Sequence, residues 1–124
     1  MAAQILVIDE DDDLLELYTA LLEEEGYQVH PRKALVEDLH DIEQLSPDLI
    51  ILDLSLKQRK EAWALLHRLK THSSVAAIPM VVCITTSLSL DQEDYLRESK
   101  VGIVYKPFDI DELSQRIRRL IRTH

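Results

Sequence analysis

The sequence predicts an α/β fold, a single doubly wound domain of five βα units with a five-stranded parallel sheet and helices on both faces. Three observations carry this. Five short apolar runs alternate with longer segments of helical period, and strict alternation with right-handed crossovers leaves a parallel sheet as the economical solution. Ile5-Leu6-Val7-Ile8 and Leu49-Ile50-Ile51-Leu52 are continuously apolar, as central strands covered on both faces are. No repeat, low-complexity tract or linker interrupts the 124 residues, so the expected organisation is one domain, residues 1–124.

The strands are expected at Gln4–Asp9, Tyr27–His30, Leu49–Asp53, Met80–Thr85 and Gly102–Lys106. Tyr27-Gln28-Val29-His30 is mixed in polarity, which suits a strand nearer an edge. The first helix is expected over Asp13–Glu25, with Leu14, Leu17, Tyr18, Leu21 and Leu22 on its buried stripe and Gly26 ending it in the left-handed conformation. The middle helices are expected at Leu35–Leu45, Lys60–His72 and Leu90–Ser99, with Ser89-x-x-Gln92 placed to cap the fourth. The last begins at Asp109, where Asp109-x-x-Glu112 has the form of a capping box. Its stripe is Ile110, Leu113, Ile117, Leu120 and Ile121, with four arginines largely outside it.

Composition narrows the class. Apolar residues make up 46% and charged residues 30%, the balance of a compact soluble protein rather than a disordered one. No apolar run approaches the roughly 18–20 residues that span a bilayer, and the start of the chain lacks the basic and apolar regions of a signal peptide. The single cysteine, Cys83, sits in the apolar run Met80–Ile84 and reads as a small core residue. A reducing, cytoplasmic setting is expected. The net charge of −9 disfavours direct binding to nucleic acid or an anionic membrane. Asp9 to Asp13 is an unbroken run of five carboxylates. Asp11 to Asp13 read as solvated surface, whereas Asp9 and Glu10 close an apolar strand.

The chemistry gathers at strand ends. Asp9 and Glu10 end the first strand, Asp53 the third, Thr85 and Thr86 the fourth, and Lys106, before Pro107, the fifth. In a parallel sheet these groups meet at one edge, where ligands of such sheets bind. Two like charges about 4 Å apart repel by roughly 4 kcal/mol at an effective dielectric of 20, a conflict that a hard divalent cation with oxygen ligands removes. Mg²⁺ is the natural choice where phosphate is the substrate. Phosphoryl transfer needs mainly positioning and charge neutralisation, and the parts are present: Asp53 as nucleophile, a metal, Lys106 as second cation and the Thr85 hydroxyl as donor.

Ile5-Leu6-Val7-Ile8-Asp9-Glu10-Asp11, Pro47-Asp48-Leu49-Ile50-Ile51-Leu52-Asp53, Ile78-Pro79-Met80-Val81-Val82-Cys83-Ile84-Thr85 and Lys106-Pro107-Phe108-Asp109 together resemble the response-regulator receiver family, in order and across essentially the whole chain. The resemblance implies a flavodoxin-like fold, Mg²⁺ held by Asp9, Glu10, Asp53 and the Ser55 carbonyl, and phosphorylation of Asp53 by a histidine kinase or phosphotransfer protein. Thr85 and Lys106 are implied as the groups that bind the phosphoryl and switch the domain, with Thr86, Ile103 and Pro107 in support. A downstream effector protein or effector domain is the implied recipient. A homodimer through the fourth helix, fifth strand and fifth helix is a further implied partner arrangement.

The chain departs from that family in three places. Lys57, Lys60 and Glu61 stand where a Pro and an Asp-Gly pair are usual after the acceptor. Ile103 replaces an aromatic whose rotamer follows the switch threonine, and Tyr105, two residues on, shares its face closer to Lys106. Glu10 replaces the commoner Asp. These departures motivate an alternative, a receiver-like docking module independent of phosphorylation. An aspartyl-phosphate phosphatase is disfavoured because Ser55 occupies the place of a second acid, and a glycine-rich nucleotide loop is excluded because Gly26 and Gly102 are the only glycines. Trp63 reads as partly buried packing, and His67 and His72, five apart, do not share a helix face suited to a metal.

Overall fold

A computed structural model describes residues 2–33, 39–54, 59–84, 88–106 and 110–122. Ser55, Lys57, Thr85, Thr86, Pro107, Phe108 and Asp109 lie outside them. The elements alternate as β1 (Gln4–Ile8), α1 (Asp12–Glu24), β2 (Gln28–Arg32), α2 (Leu39–Leu45), β3 (Leu49–Asp53), α3 (Arg59–Thr71), β4 (Met80–Ile84), α4 (Leu90–Glu98), β5 (Gly102–Tyr105) and α5 (Ile110–Arg122). All pairs are parallel and the strand order is β2-β1-β3-β4-β5. The order reverses between β1 and β3, which puts the crevice of a doubly wound sheet at the carboxyl ends of those two strands.

Period-two alternation splits the interior into two cores. Ile5 and Val7 of β1, Leu49 and Ile51 of β3, and Val81 and Cys83 of β4 pack with Leu15, Tyr18 and Leu22 of α1 and Leu113 and Ile117 of α5. Leu6, Ile8, Ile50, Leu52, Val82 and Ile84 face the other way, onto α2, α3 and α4. Every residue of β3 and β4 is buried, which explains why their sequences run apolar without interruption. Trp63 and Ile103 pack half-buried against the second core.

The first helix differs from expectation in two ways. It starts at Asp12 because Asp11 is its N-cap, its carboxylate accepting from the Asp13 and Leu14 amides. Asp11 therefore satisfies orphan donors of the first turn rather than simply facing solvent. The buried line is Leu15, Tyr18 and Leu22, and Leu17 is 47% exposed. At about 100° per residue Leu17 lies roughly 130° from the centre of that line; Leu14 and Leu21 flank it. Gly26 ends the helix with φ +97°, and Ser89 and Gln92 form the expected capping box of α4.

The second strand runs Gln28–Arg32 rather than Tyr27–His30 and contains a proline. It is an edge strand bonded to β1 alone. The Gln28 amide donates to the Ala3 carbonyl and the Arg32 carbonyl accepts from Asp9, so even-numbered residues turn their backbone toward β1. Pro31 is odd, and its missing N–H falls on the open side, where a strand tolerates it. Its carbonyl accepts from the Arg32 guanidinium at 2.9 Å.

Leu15→Ala is expected to lower the unfolding free energy by about 2–5 kcal/mol, while Leu17→Ala stays within about 0.5 kcal/mol of the parent. Urea denaturation of the two variants separates the outcomes, and equal losses would return Leu17 to the buried stripe.

Candidate functional site

Strand register brings the acids together. Ile8 pairs with Leu52, and one residue further on stand Asp9 and Asp53, which odd numbering sends to the face covered by α1 and α5. Asp53 pairs with Cys83 and Cys83 with Val104. One row across the sheet therefore reads Asp9, Asp53, Cys83, Val104. Lys106 follows Val104 by two residues on the same face, and its amide donates to the Ile84 carbonyl at 2.7 Å, prolonging the β4–β5 ladder past the assigned strand.

The geometry is that of one ammonium between two carboxylates. Lys106 Nζ lies 2.8 Å from Asp53 Oδ2 and 3.5 Å from Asp9 Oδ2. Asp9 is 1% and Asp53 5% exposed, and the Lys106 side chain 12%. The Asp11 amide donates to Asp9 Oδ1 at 3.0 Å, whereas Asp9 Oδ2 is buried without a hydrogen-bond partner among the described residues. A buried carboxylate oxygen in that condition is costly.

Charge explains the proton affinities. Burial, reinforced by the Asp53 charge, pushes the Asp9 carboxyl up from 3.8 to about 6, against the Asp11 amide and Lys106, which lower it. Burial alone would depress Lys106, yet the hydrogen bond and charge of Asp53, with Asp9 behind it, carry its pKa above the usual lysine value. Asp9, Asp53 and Lys106 together thus carry one net negative charge when both acids are ionised, and among the described residues Asp9 Oδ2 has only the 3.5 Å ion pair to Lys106 to offset its burial. Hard carboxylate oxygens in this condition fit a divalent cation such as Mg²⁺. Among the described residues no group of three or more His, Cys, Asp or Glu side chains is placed to hold a metal ion.

Of the residues expected at the site, Asp9, Asp53 and Lys106 converge. Glu10 is exposed beside them, Ile103 stands half-buried on the opposite face, and Ser55, Thr85, Thr86 and Pro107 are outside the described residues. Tyr105 is exposed and its hydroxyl lies 3.5 Å from Glu93 Oε1 of α4. His67 and His72 go separate ways, to Tyr95 and to Ser74 with Glu43. Arg118 lies near Glu25 and Ser114 of its own chain. Two neighbours were not singled out for the site from sequence: Cys83, beside Asp53 in the row, and Tyr18, whose hydroxyl donates to Cys83 Sγ at 3.7 Å. Their signal was present only in the register, since each alone reads as an apolar core position.

Asp9→Asn is expected to raise the stability of the metal-free protein at pH 7 by about 1–3 kcal/mol. The sign follows from the raised carboxyl: between pH 3.8 and about 6 the folded chain binds more protons than the unfolded one, so this group's contribution declines as pH rises through that window. Urea unfolding in EDTA at pH 4 and pH 7 checks it. A loss of stability at pH 7 would mean that attraction to Lys106 outweighs burial and the repulsion from Asp53.

Comparison with known proteins places the chain in a family. A family model described as the response regulator receiver domain matches residues 5–118. The chain is 30% identical over 119 residues to the DNA-binding dual master transcriptional regulator RpaA of Synechocystis sp., covering 96% of this chain and 49% of that protein. It is 29% identical over 125 residues to the phosphate regulon transcriptional regulatory protein PhoB of Escherichia coli, covering 98% and 53%. The chain thus spans about half the length of the curated relatives it matches. A response regulator from Thermotoga maritima has the same fold, with a TM-score of 0.79 at 20% identity over 98% of this chain and 99% of that one. So does chemotaxis protein CheY4 of Vibrio cholerae, with a TM-score of 0.81 at 20% identity over 97% and 99%. With the family model matching nearly its whole length, the chain belongs to the response-regulator receiver domain family.

Proposed function

We propose that the chain is the phosphoacceptor of a two-component relay, taking a phosphoryl group on Asp53 from the phosphohistidine of a histidine kinase or phosphotransfer protein, in the cytoplasm and with Mg²⁺. The observation that carries this is the buried Asp53 carboxylate bonded to Lys106 at 2.8 Å, with the Asp9 carboxylate 3.5 Å from the same ammonium. In the transfer, an Asp53 oxygen forms a bond to phosphorus as the phosphorus–nitrogen bond of the donor breaks, and the imidazole leaves with the electron pair. Asp9, Glu10, Asp53 and the Ser55 carbonyl would hold Mg²⁺, which neutralises charge on the phosphoryl oxygens when bound.

Lys106 has a double part in this reading. It neutralises Asp53 before reaction and then exchanges that carboxylate for a phosphoryl oxygen. Its reorientation, together with a Thr85 hydroxyl donating to another oxygen, supplies the difference in contacts that a two-state switch requires. An effector protein or an effector domain of a longer chain receives the change. RpaA and PhoB, both carried by names as transcriptional regulators, are about twice as long as the region matched and illustrate the second arrangement.

Incubation with acetyl phosphate and Mg²⁺ is expected to label the protein to one equivalent, with labelling abolished in Asp53→Asn and in EDTA. Stoichiometric, Mg²⁺-dependent labelling that persists in Asp53→Asn would overturn the assignment of the acceptor.

A further inference from the structure

We propose that Tyr18 and Cys83 are positioning residues for Asp53, together building the wall that holds the acceptor carboxylate toward Lys106. The proposal rests on the phosphoacceptor reading above and extends the site beyond its charged residues.

The row across the sheet supplies the first part of the case. Asp53 has Asp9 on one flank and Cys83 on the other, the latter its register partner in the β3–β4 pair. Adjacent strands are about 4.8 Å apart, so the Cys83 side chain is a lateral neighbour of the acceptor. Asp9 and Asp53 share the Lys106 ammonium on one flank, which leaves β4 to bound the carboxylate on the other. Whatever occupies the Cys83 position then limits how far the carboxylate can swing.

Tyr18 supplies the second part. It projects from α1 onto this face, is almost fully buried, and donates its hydroxyl to Cys83 Sγ at 3.7 Å. A buried phenol needs a polar partner, and this one finds it on the side chain adjoining the acceptor. The contact favours the orientation of Cys83 that keeps its sulfur against the phenol, since rotating the sulfur away forfeits that hydrogen bond. Cys83 is fully buried, surroundings that disfavour a thiolate. A small, neutral, polarisable group there leaves Lys106 as the only cation among Asp53's described neighbours in this pocket, and the carboxylate stays aligned with it.

Cys83 is the only cysteine, so the S–H stretching band in the infrared reports on this one position in the unmodified chain. Loading with Mg²⁺ and beryllofluoride, a non-transferring phosphoryl mimic, is expected to shift that band. Tyr18→Phe is expected to shift it in the unloaded protein and to slow acetyl-phosphate labelling at saturating Mg²⁺ by about 3–10-fold, the loss of one orienting hydrogen bond, with the Mg²⁺ dissociation constant unchanged. A purely structural Tyr18 would alter the urea midpoint and the unloaded band but leave the labelling rate alone. The positioning role is overturned if the wild-type protein labels while its band stays fixed on loading, or if Tyr18→Phe labels at the wild-type rate. A wild-type chain that does not label at all sinks the phosphoacceptor reading, and this proposal with it.

Discussion

The site depends on a deliberate electrostatic imbalance: two buried carboxylates face one lysine. Asp9 and Asp53 are brought level because β1 and β3 are parallel neighbours in the Ile8–Leu52 register. Lys106 reaches both, at 2.8 and 3.5 Å, and still leaves the cluster one charge short of neutrality. A protein interior tolerates such a group only where something of opposite charge completes it or the surrounding fold offsets the penalty. Here two apolar cores hold the sheet from both sides and keep the strand ends in place. That residual charge is the one the proposed Mg²⁺ would offset.

The same arrangement explains why the chemistry sits on the helical side carrying α1 and α5 while other distinctive positions sit on the other. Asp9, Asp53, Cys83 and Val104 share one face by alternation, and Ile103 and Trp63 belong to the opposite core. Asp53 and α4 therefore lie on opposite faces of the sheet, and what β4 and β5 share between those faces is backbone, including the Lys106 amide bonded to the Ile84 carbonyl. Tyr105, at the exposed end of β5 and close to Glu93, stands where that backbone meets α4.

Much of this was legible in the sequence, for physical reasons that differ by residue. Ile5–Ile8 and Leu49–Leu52 announce central strands because both of their faces are buried, and the acids that follow stand out against such runs. Ser89 and Gln92 are readable because a capping box is local chemistry. Leu17 was misplaced because six leucine and tyrosine positions on α1 exceed what one face can bury, and only packing against Ile5, Val7 and Cys83 selects the line. Pro31 concealed the second half of β2, since a proline reads as a strand end until its outward orientation is known. Tyr18 and Cys83 could not be linked from sequence, because 65 residues separate them and the contact arises only in the folded register.

That proline has a further consequence for how the molecule behaves in company. The β2 margin is the side of the sheet next to the charged strand ends, and an open parallel edge offers a row of amides and carbonyls to any extended chain that drifts past. At Pro31 there is no amide to offer, and the carbonyl is already claimed by the guanidinium of Arg32. In the middle of the strand, then, neither half of a new ladder rung is available. The β2 edge is closed to a sixth strand there by chemistry rather than by cover.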